Sequence, residues 1–473
     1  MGLVNLINGG LDIQGIVDNL IYVAREPIRR LEQQTKAFKD KITAYQSFNT
    51  KLLAFKTSIE GIMYPGTTPL LSIPAGFEER LQKSMFALRT AESSDETVLT
   101  ATAGKGTVVG NYAVTVSSLA QSDSYASTNF ASDTATLTQT GTLVIQKGTA
   151  EAVTITIDET NNTLRGIRDA INAADAGFTA SIIRDGSASP YRLAITSDDS
   201  GTANALTITN NLNQGAGQAV TLTQTVAAQD AALQINGIDI VSGSNAVTDA
   251  IEGVTLNLKS ATGSAVVAVQ RDVDAMVAAL KDFAAKYNEV VSYISSQFRF
   301  DTTTQRSGVL SGDYMLRDAQ GKLSATLAQT ISSDESTLKV LAQIGFKTAN
   351  DGTISLDETK LKQSLSSDFR GVARVMLADG LDPTGNTISI VPQLYSRLKN
   401  LTDPLAGPVF RAQDSVQQSI TRINRQIREM EERLEVRRDL LIAQFSQADQ
   451  ALRQLSVIQT SLAAQISSLS ALR

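Results

Sequence analysis

From Val409 to Arg473 the chain runs for sixty-five residues without a glycine or a proline. Apolar residues recur there at three-four spacing: Ile420, Ile423, Ile427, Met430 and Leu434. After a slip near Arg437 the stripe resumes at Leu441, Ala448, Leu452, Leu455, Leu462, Ile466 and Leu469. That period marks a narrow helical seam made to meet another helix. At about 1.5 Å per residue, a continuous helix over this stretch is a rod roughly 95 Å long. Such a rod cannot fold back into one compact core, so it either projects or pairs along its length.

A partner stands at the other end of the chain. Ile28, Leu31, Phe38, Ile42, Tyr45, Leu52, Phe55 and Ile59 follow the same spacing, with Thr35 and Asn49 as polar members. The simplest arrangement packs this N-terminal helix antiparallel on the C-terminal one, with everything else inserted between them. The alternative is that each helix packs separately on an ordinary core.

With 473 residues, about three domains are expected. The hydrophobic content of 42% allows real cores, built from aliphatic residues because aromatics make up only 5%. Net charge is −6, and no dense Lys/Arg run offsets it, which argues against a nucleic-acid binder. His, Cys and Trp are absent. The chain therefore has no imidazole base, no His or thiolate metal site, no thiol nucleophile and no disulfide. The apolar stretch Leu11–Ala24 is broken by Asp12, Asp18 and Asn19 and lacks a preceding basic residue, so no cleaved signal peptide is expected. No run of about eighteen apolar residues predicts a membrane span.

In chain order, residues 1 to 10 read as loose, and Asp12 as the N-cap of a helix carrying Ile13, Ile16, Val17, Leu20 and Ile21. Pro27 should kink or restart that helix, and Gly61 should end the long helix that follows. Residues 64 to 76, rich in Pro and Gly, read as a loop. Between residues 91 and 270 lie 15 of the 31 glycines, with sparse charge. Alternation at Tyr112–Val116, Val153–Ile157, Arg192–Thr196 and Val254–Leu258 predicts half-buried strands. A helix is expected from about Thr163 to Ala173. Helical periodicity returns after Asp272, and a second helix after Gly312 carries Leu316, Leu323, Leu327 and Ile331. Asp351-Gly352 signals a hairpin between Ile344–Phe346 and Ile354–Leu356. Asp357 and Asp368 read as helix caps.

Nothing in this pattern builds an active site. Asp198-Asp199, Glu78-Glu79 and Glu431-Glu432 are adjacent carboxylates, whereas a catalytic pair must converge in space with separated pKa values. Asn350-Asp351-Gly352 lacks the ligand series of a calcium loop. Gly104-Lys-Gly106 with Gly110 has the wrong spacing for a phosphate loop. The final rod is more informative. From Leu440 to Arg473 only Asp449, Arg453 and Arg473 are charged, which suits docking onto a partner.

Several segments, taken in order, resemble the flagellar hook-associated protein 2 family, the filament cap proteins of bacterial flagella. They are Gly10–Ile13, Ile16-Val17, Glu26–Leu31, Ala232–Ile238, Ile251–Leu256, Tyr287-Asn288, Gly308–Asp313, Ile344-Gly345 and Asp351-Gly352. Thr163-Leu164, Ile171-Asn172, Gly177, Thr179-Ala180 and Ser197 resemble the Ile-Asn motif shared by flagellins and hook proteins. The resemblance implies a ring at the distal end of the filament, with β-rich heads and helical legs, that retains flagellin and promotes its folding and insertion. It further implies an extracellular protein exported without a cleaved signal, with flagellin, the filament end, other copies of the chain, an export chaperone and the flagellar type III apparatus as partners. Mucin binding, known of some members, is not carried over. A hook–filament junction protein, a flagellin and a secreted adhesin remain the other readings.

The expected fold is α+β and multidomain. Residues 1–60 and 409–473 form an antiparallel coiled-coil leg, and 61–90 with 271–408 a helical stalk. Residues 91–131 with 206–270 form a β-rich head, and 132–205 a second head. No catalytic residue, cofactor or metal is expected. The residues expected to touch the filament or a neighbouring leg are Ile13, Ile16, Leu20, Leu452, Leu455, Leu462, Ile466 and Leu469.

Overall fold

The computed structural model describes residues 12–65, 76–213, 218–302, 305–331, 337–381 and 387–470. The expected loose start and most of the loop between 64 and 76 lie outside the described residues. Ten helices are described: α1 (Ile13–Ala24), α2 (Glu26–Met63), α3 (Phe77–Lys83), α4 (Leu164–Ala173), α5 (Val273–Phe298), α6 (Tyr314–Leu327), α7 (Glu358–Ser367), α8 (Phe369–Leu377), α9 (Val391–Leu401) and α10 (Pro408–Ser470). Contacts divide the chain into two units, one from the residues up to Met63 and from Ala279 onward, the other from the residues between.

The first unit is helical. The side chain of Asp12 accepts from the Gly15 amide at 3.0 Å and caps α1. α1 stops at Ala24, and Pro27 falls in the first turn of α2, where its missing N–H costs nothing. α2 does not stop at Gly61. It continues to Met63, because Ile62 and Met63 are both buried and carry the apolar face past the glycine. Phe55 lies at the centre of the core, its ring 5.4 Å from Phe283 and 5.7 Å from Tyr287. Phe283 in turn meets Phe346 edge-on at 6.0 Å. Leu316 and Leu323 of α6, Val372 and Val375 of α8 and Leu394 and Leu398 of α9 are fully or almost fully buried. Ile331 is buried too, but beyond the end of α6.

Several motif residues find a structural role here. Asn288 closes a pair of 2.7 Å hydrogen bonds with the backbone of Ile354, donating to its carbonyl and accepting from its amide. That pins the hairpin of Phe346–Thr348 and Ile354–Leu356 onto α5. Gly345 takes φ +111°, and a Cβ there would lie 2.8 Å from the Asp357 carbonyl. Asp357 and Asp368 cap α7 and α8 through the amides of Lys360 and Gly371.

The second unit holds two β-rich cores. One is a sheet ordered Arg89–Ser93, Gly263–Arg271, Gly110–Ser118, Ala231–Ile235, Ile238–Ser242, faced by the three strands Ala246–Ile251, Val254–Leu258 and Leu99–Ala103. All its neighbouring strands are antiparallel. Asn236 and Gly237, both at positive φ, make the tight turn between two of them. Leu99, Leu233, Leu256 and Val267 are the centre of this core.

The other core gathers Leu143, Ile145, Leu164, Ile167, Ile171, Leu193 and Ile195. α4 begins with Thr163 accepting from the Gly166 amide at 3.0 Å. Asn172 then exchanges two hydrogen bonds with Ala180, donating to its carbonyl at 2.9 Å and accepting from its amide at 2.6 Å. The Ile-Asn pair thus uses one residue to fill the core and the next to fix the helix to a strand. Phe130, Leu206 and Val220 pack in this core as well, although their positions fall in the range expected for the first head. The strands Ser124–Ser127 and Leu222–Val226 pair in the sheet that includes Tyr191–Ser197, which draws them across.

Candidate partner-binding surface

α10 runs antiparallel to α2 and then to α1. At its start, Val409 and Phe410 share a cleft with Asn49 and Leu53. Further along, Met430 and Leu434 face Ala24, Pro27 and Ile28 around a pit of about 250 Å³ whose rim carries Arg433 and Arg437. Beyond the break between α1 and α2, Arg25 meets Glu431 at 3.0 Å and Asp18 meets Arg438 at 3.2 Å. Both ion pairs are solvent-exposed, worth about 0–1 kcal/mol each. Val17 is the one fully buried residue described in α1.

Burial along the α10 seam falls away with distance. Ile420 and Ile423 are buried, and Ile427, Met430, Leu434 and Leu441 are half-buried. Leu452, Leu455, Leu462 and Ile466 are all at least 50% exposed. The side chain of Leu469 lies outside the described residues. In α1, Ile13 and Ile16 are half-buried and Leu20 is exposed. The structure therefore brings Ile13, Ile16 and Leu20 together on one short helix, and strings the four α10 residues along a rod far from the buried part of its seam.

Reading a single seam missed other exposed apolar residues. Tyr22 and Val23 on α1 and Val457 and Ile458 on α10 are also exposed. The signal was present in the low charge of 440–473, which leaves apolar residues on more than one helix face.

The adjacent carboxylates go to separate partners. Asp198 accepts from the Thr179 hydroxyl at 2.9 Å and Asp199 pairs with Lys147. Glu79 pairs with Lys83 and Glu431 with Arg25. Asp351 accepts from the amide and hydroxyl of Thr353, the geometry of a turn. Those two bonds, the hydroxyl first, hold its carboxyl below the usual range. Among the described residues no group of acidic side chains is arranged to hold a metal ion. Also among them, no helix is long and apolar enough to cross a membrane.

Models of the flagellar hook-associated protein 2 N-terminus and C-terminus match residues 9–123 and 228–456. The flagellin hook IN motif matches residues 135–199 between them. Flagellar hook-associated protein 2 of Escherichia coli (strain K12) is 31% identical over 477 aligned residues, covering 96% of this chain and 94% of that protein. The chain belongs to the flagellar hook-associated protein 2 family. The B-type flagellar hook-associated protein 2 of Pseudomonas aeruginosa is 27% identical, over 93% of this chain and 92% of its own length. In fold, the chain is similar to the crystal structure of the D1-D2-D3 domains of the flagellar cap protein from Escherichia coli. That likeness has a TM-score of 0.62 and 31% identity, over 79% of this chain and 99% of the other. The hook-associated protein 2 family is one of structural flagellar proteins, not of enzymes.

Proposed function

We infer that the chain is the filament cap at the distal end of the bacterial flagellum. Family membership over nearly the whole length carries this reading, ahead of a junction protein, a flagellin or an adhesin. Copies assemble into a ring, retain flagellin at the growing end and promote its folding and insertion. The protein acts outside the cell, reaches the tip through the flagellar type III apparatus with an export chaperone and without a cleaved signal, and has no catalytic activity.

The leg, α1 and α2 with α10, is the grip. Its contacts are Ile13, Ile16, Leu20, Leu452, Leu455, Leu462, Ile466 and Leu469, and the exposure of most of them supports this assignment. A cap must hold on while subunits insert beneath it, so several weak legs acting together serve better than one tight contact. A ring of copies has cyclic symmetry with head-to-tail contacts. The rest divides into a helical stalk and two heads, and the core around α4 supports drawing the second head from Asp123 to Val226.

The test removes residues 1–44 and 417–473, which spares the buried residues of α2 from Tyr45 onward and Val409 of α10, and returns the remainder to a cap-less strain. Loss of motility with a folded, secreted remainder is expected. Restored swimming would place the grip elsewhere. Electron microscopy of the purified full chain should show rings with a plate and legs.

A further inference from the structure

Each β-rich core leaves a strand at the margin of a sheet. Ile238–Ser242 is the outermost strand of the five-stranded sheet. Phe178–Arg184 is the outermost of a four-stranded sheet ordered Leu222–Val226, Ser124–Ser127, Tyr191–Ser197, Phe178–Arg184. Along an antiparallel strand, successive residues turn their amide and carbonyl alternately to one side and the other. Which residues face outward follows from the bonds already made.

The turn at Asn236 and Gly237 is closed by the hydrogen-bonded pair Ile235 and Ile238. Ile238, Ile240 and Ser242 therefore face their partner strand, and the backbone groups of Asp239 and Val241 point out of the sheet. In the other strand, both backbone groups of Ala180 point outward, where Asn172 takes them. The amide of Leu193, opposite Ile182, goes to the Ser127 hydroxyl, and Tyr191, opposite Arg184, exchanges backbone bonds with Phe130. Ile182 and Arg184 thus turn their backbone groups outward as well, beyond the stretch that Asn172 covers. Among the described residues nothing bonds the outward groups of Asp239, Val241, Ile182 or Arg184. Both margins also expose apolar side chains, Val241 at 70% and Ile183 at 52%. Neither strand carries the proline or lysine that commonly blocks an open edge.

We propose that Ile238–Ser242 of one copy adds antiparallel to Phe178–Arg184 of the next, and that this joint links the copies of the ring. One register uses both outward residues of each margin. It sets Asp239 opposite Arg184 and Val241 opposite Ile182, with Ile240 opposite Ile183 between them. Four backbone hydrogen bonds form, a carboxylate meets a guanidinium, and apolar side chains meet apolar ones. Arg184 stacks over Tyr191 at 5.6 Å and pairs with no carboxylate among the described residues. The same complementarity selects the occupant. Pairing either margin with its own copy in the antiparallel register that uses both outward residues sets Asp239 opposite Val241, or Arg184 opposite Ile182, a charge against an apolar side chain. Joining two different margins is a head-to-tail contact, the kind that closes a ring. The proposal rests on the cap reading and names the strands through which its copies meet.

Because the chain has no cysteine, two single-cysteine full chains, Asp239→Cys and Arg184→Cys, test it by mixing and mild oxidation. The paired positions stand about 5.5 Å apart at Cα, within reach of a disulfide. The expected product is a cross-linked dimer containing one of each variant. Homodimers alone, or rings that yield no mixed dimer, would overturn the pairing and leave the cap reading standing. Charge reversal is the second measurement. Asp239→Arg alone and Arg184→Asp alone should each weaken self-association by about fivefold, as sedimentation registers, and the two changes together should restore it. Circular dichroism must match wild type in each variant. Single reversals that assemble as wild type does, or a double reversal without rescue, would also overturn the pairing. A wild-type chain that fails to restore filaments in a cap-less strain would overturn the cap reading itself.

Discussion

Asn172 does more for its head domain than its small size suggests. Both its hydrogen bonds go to Ala180, whose side chain is buried. Asn172→Ala would leave that amide and carbonyl without partners, at a cost of about 1–3 kcal/mol. Faster hydrogen exchange across Phe178–Arg184, with Leu99–Ala103 unchanged, is the expected reading. Phe55 is the counterpart in the helical unit, and Phe55→Ala should cost about 3–5 kcal/mol, seen as a lower urea midpoint for the helical signal. Asp185 sets a pH dependence. The Ser187 amide and hydroxyl, and then Arg192, hold its carboxyl well below the usual carboxylate range. A depressed folded pKa gives stability that is complete above the unfolded value near 4 and is lost as pH falls through the folded value. The same sign holds for Asp158 and Asp95, each lowered mainly by a neighbouring Thr hydroxyl. Melting temperature of the second unit should therefore be flat from pH 7 to about 5 and drop below about 4; a rise on acidification would contradict it.

Among the elements, the end of α10 combines high apolar content with exposure. A helical stretch of about twenty residues is marginal in water without tertiary packing. Residues 450–466 of the unassembled protein should accordingly exchange amide hydrogens within seconds to minutes, and slowly once on a filament. Strong protection in the unassembled protein would sink the docking role. Each leucine there is worth about 1.5–3 kcal/mol if fully buried on docking. Leu462→Asp with Ile466→Asp puts two charges into that contact. Helix content and secretion should be unchanged, because both positions are exposed before docking, while flagellin should leak into the medium. Loss of helix content would mean that the seam packs on its own chain.

For the whole molecule, charge is divided unevenly. Residues 76–278 carry 21 acidic and 11 basic side chains, a formal charge of −10, against +4 on the rest. If neighbouring copies in a ring set these acidic units side by side, they repel, and salt screens that repulsion over about 8–10 Å. Raising salt from about 20 to 200 mM should then strengthen self-association, as sedimentation would register; weakening would point to contacts between oppositely charged units. The acidic unit should also fold alone. Its first core includes strands from Arg89–Ser93 to Gly263–Arg271, so an excised segment 85–272 should be soluble with β circular dichroism. A disordered spectrum would show that the helices are needed.

The sequence by itself determined what depends on local chemistry and period. Glycine- and proline-free periodicity specified α10, alternation specified the strands, and side chains at Asp12, Asp357 and Asp368 specified where helices begin, because a cap acts within three residues of itself. The order of short motifs was also legible and sufficient to find the family. Tertiary structure decided what depends on which apolar faces meet. Gly61 did not end α2, since burial of Ile62 and Met63 outweighs the roughly 1 kcal/mol that a helical glycine costs. The strands near residues 124 and 222 share the core around α4 because Ser124–Ser127 pairs with Tyr191–Ser197, some seventy residues on, and Leu222–Val226 pairs with Ser124–Ser127, some hundred residues back, too far for a local pattern to register.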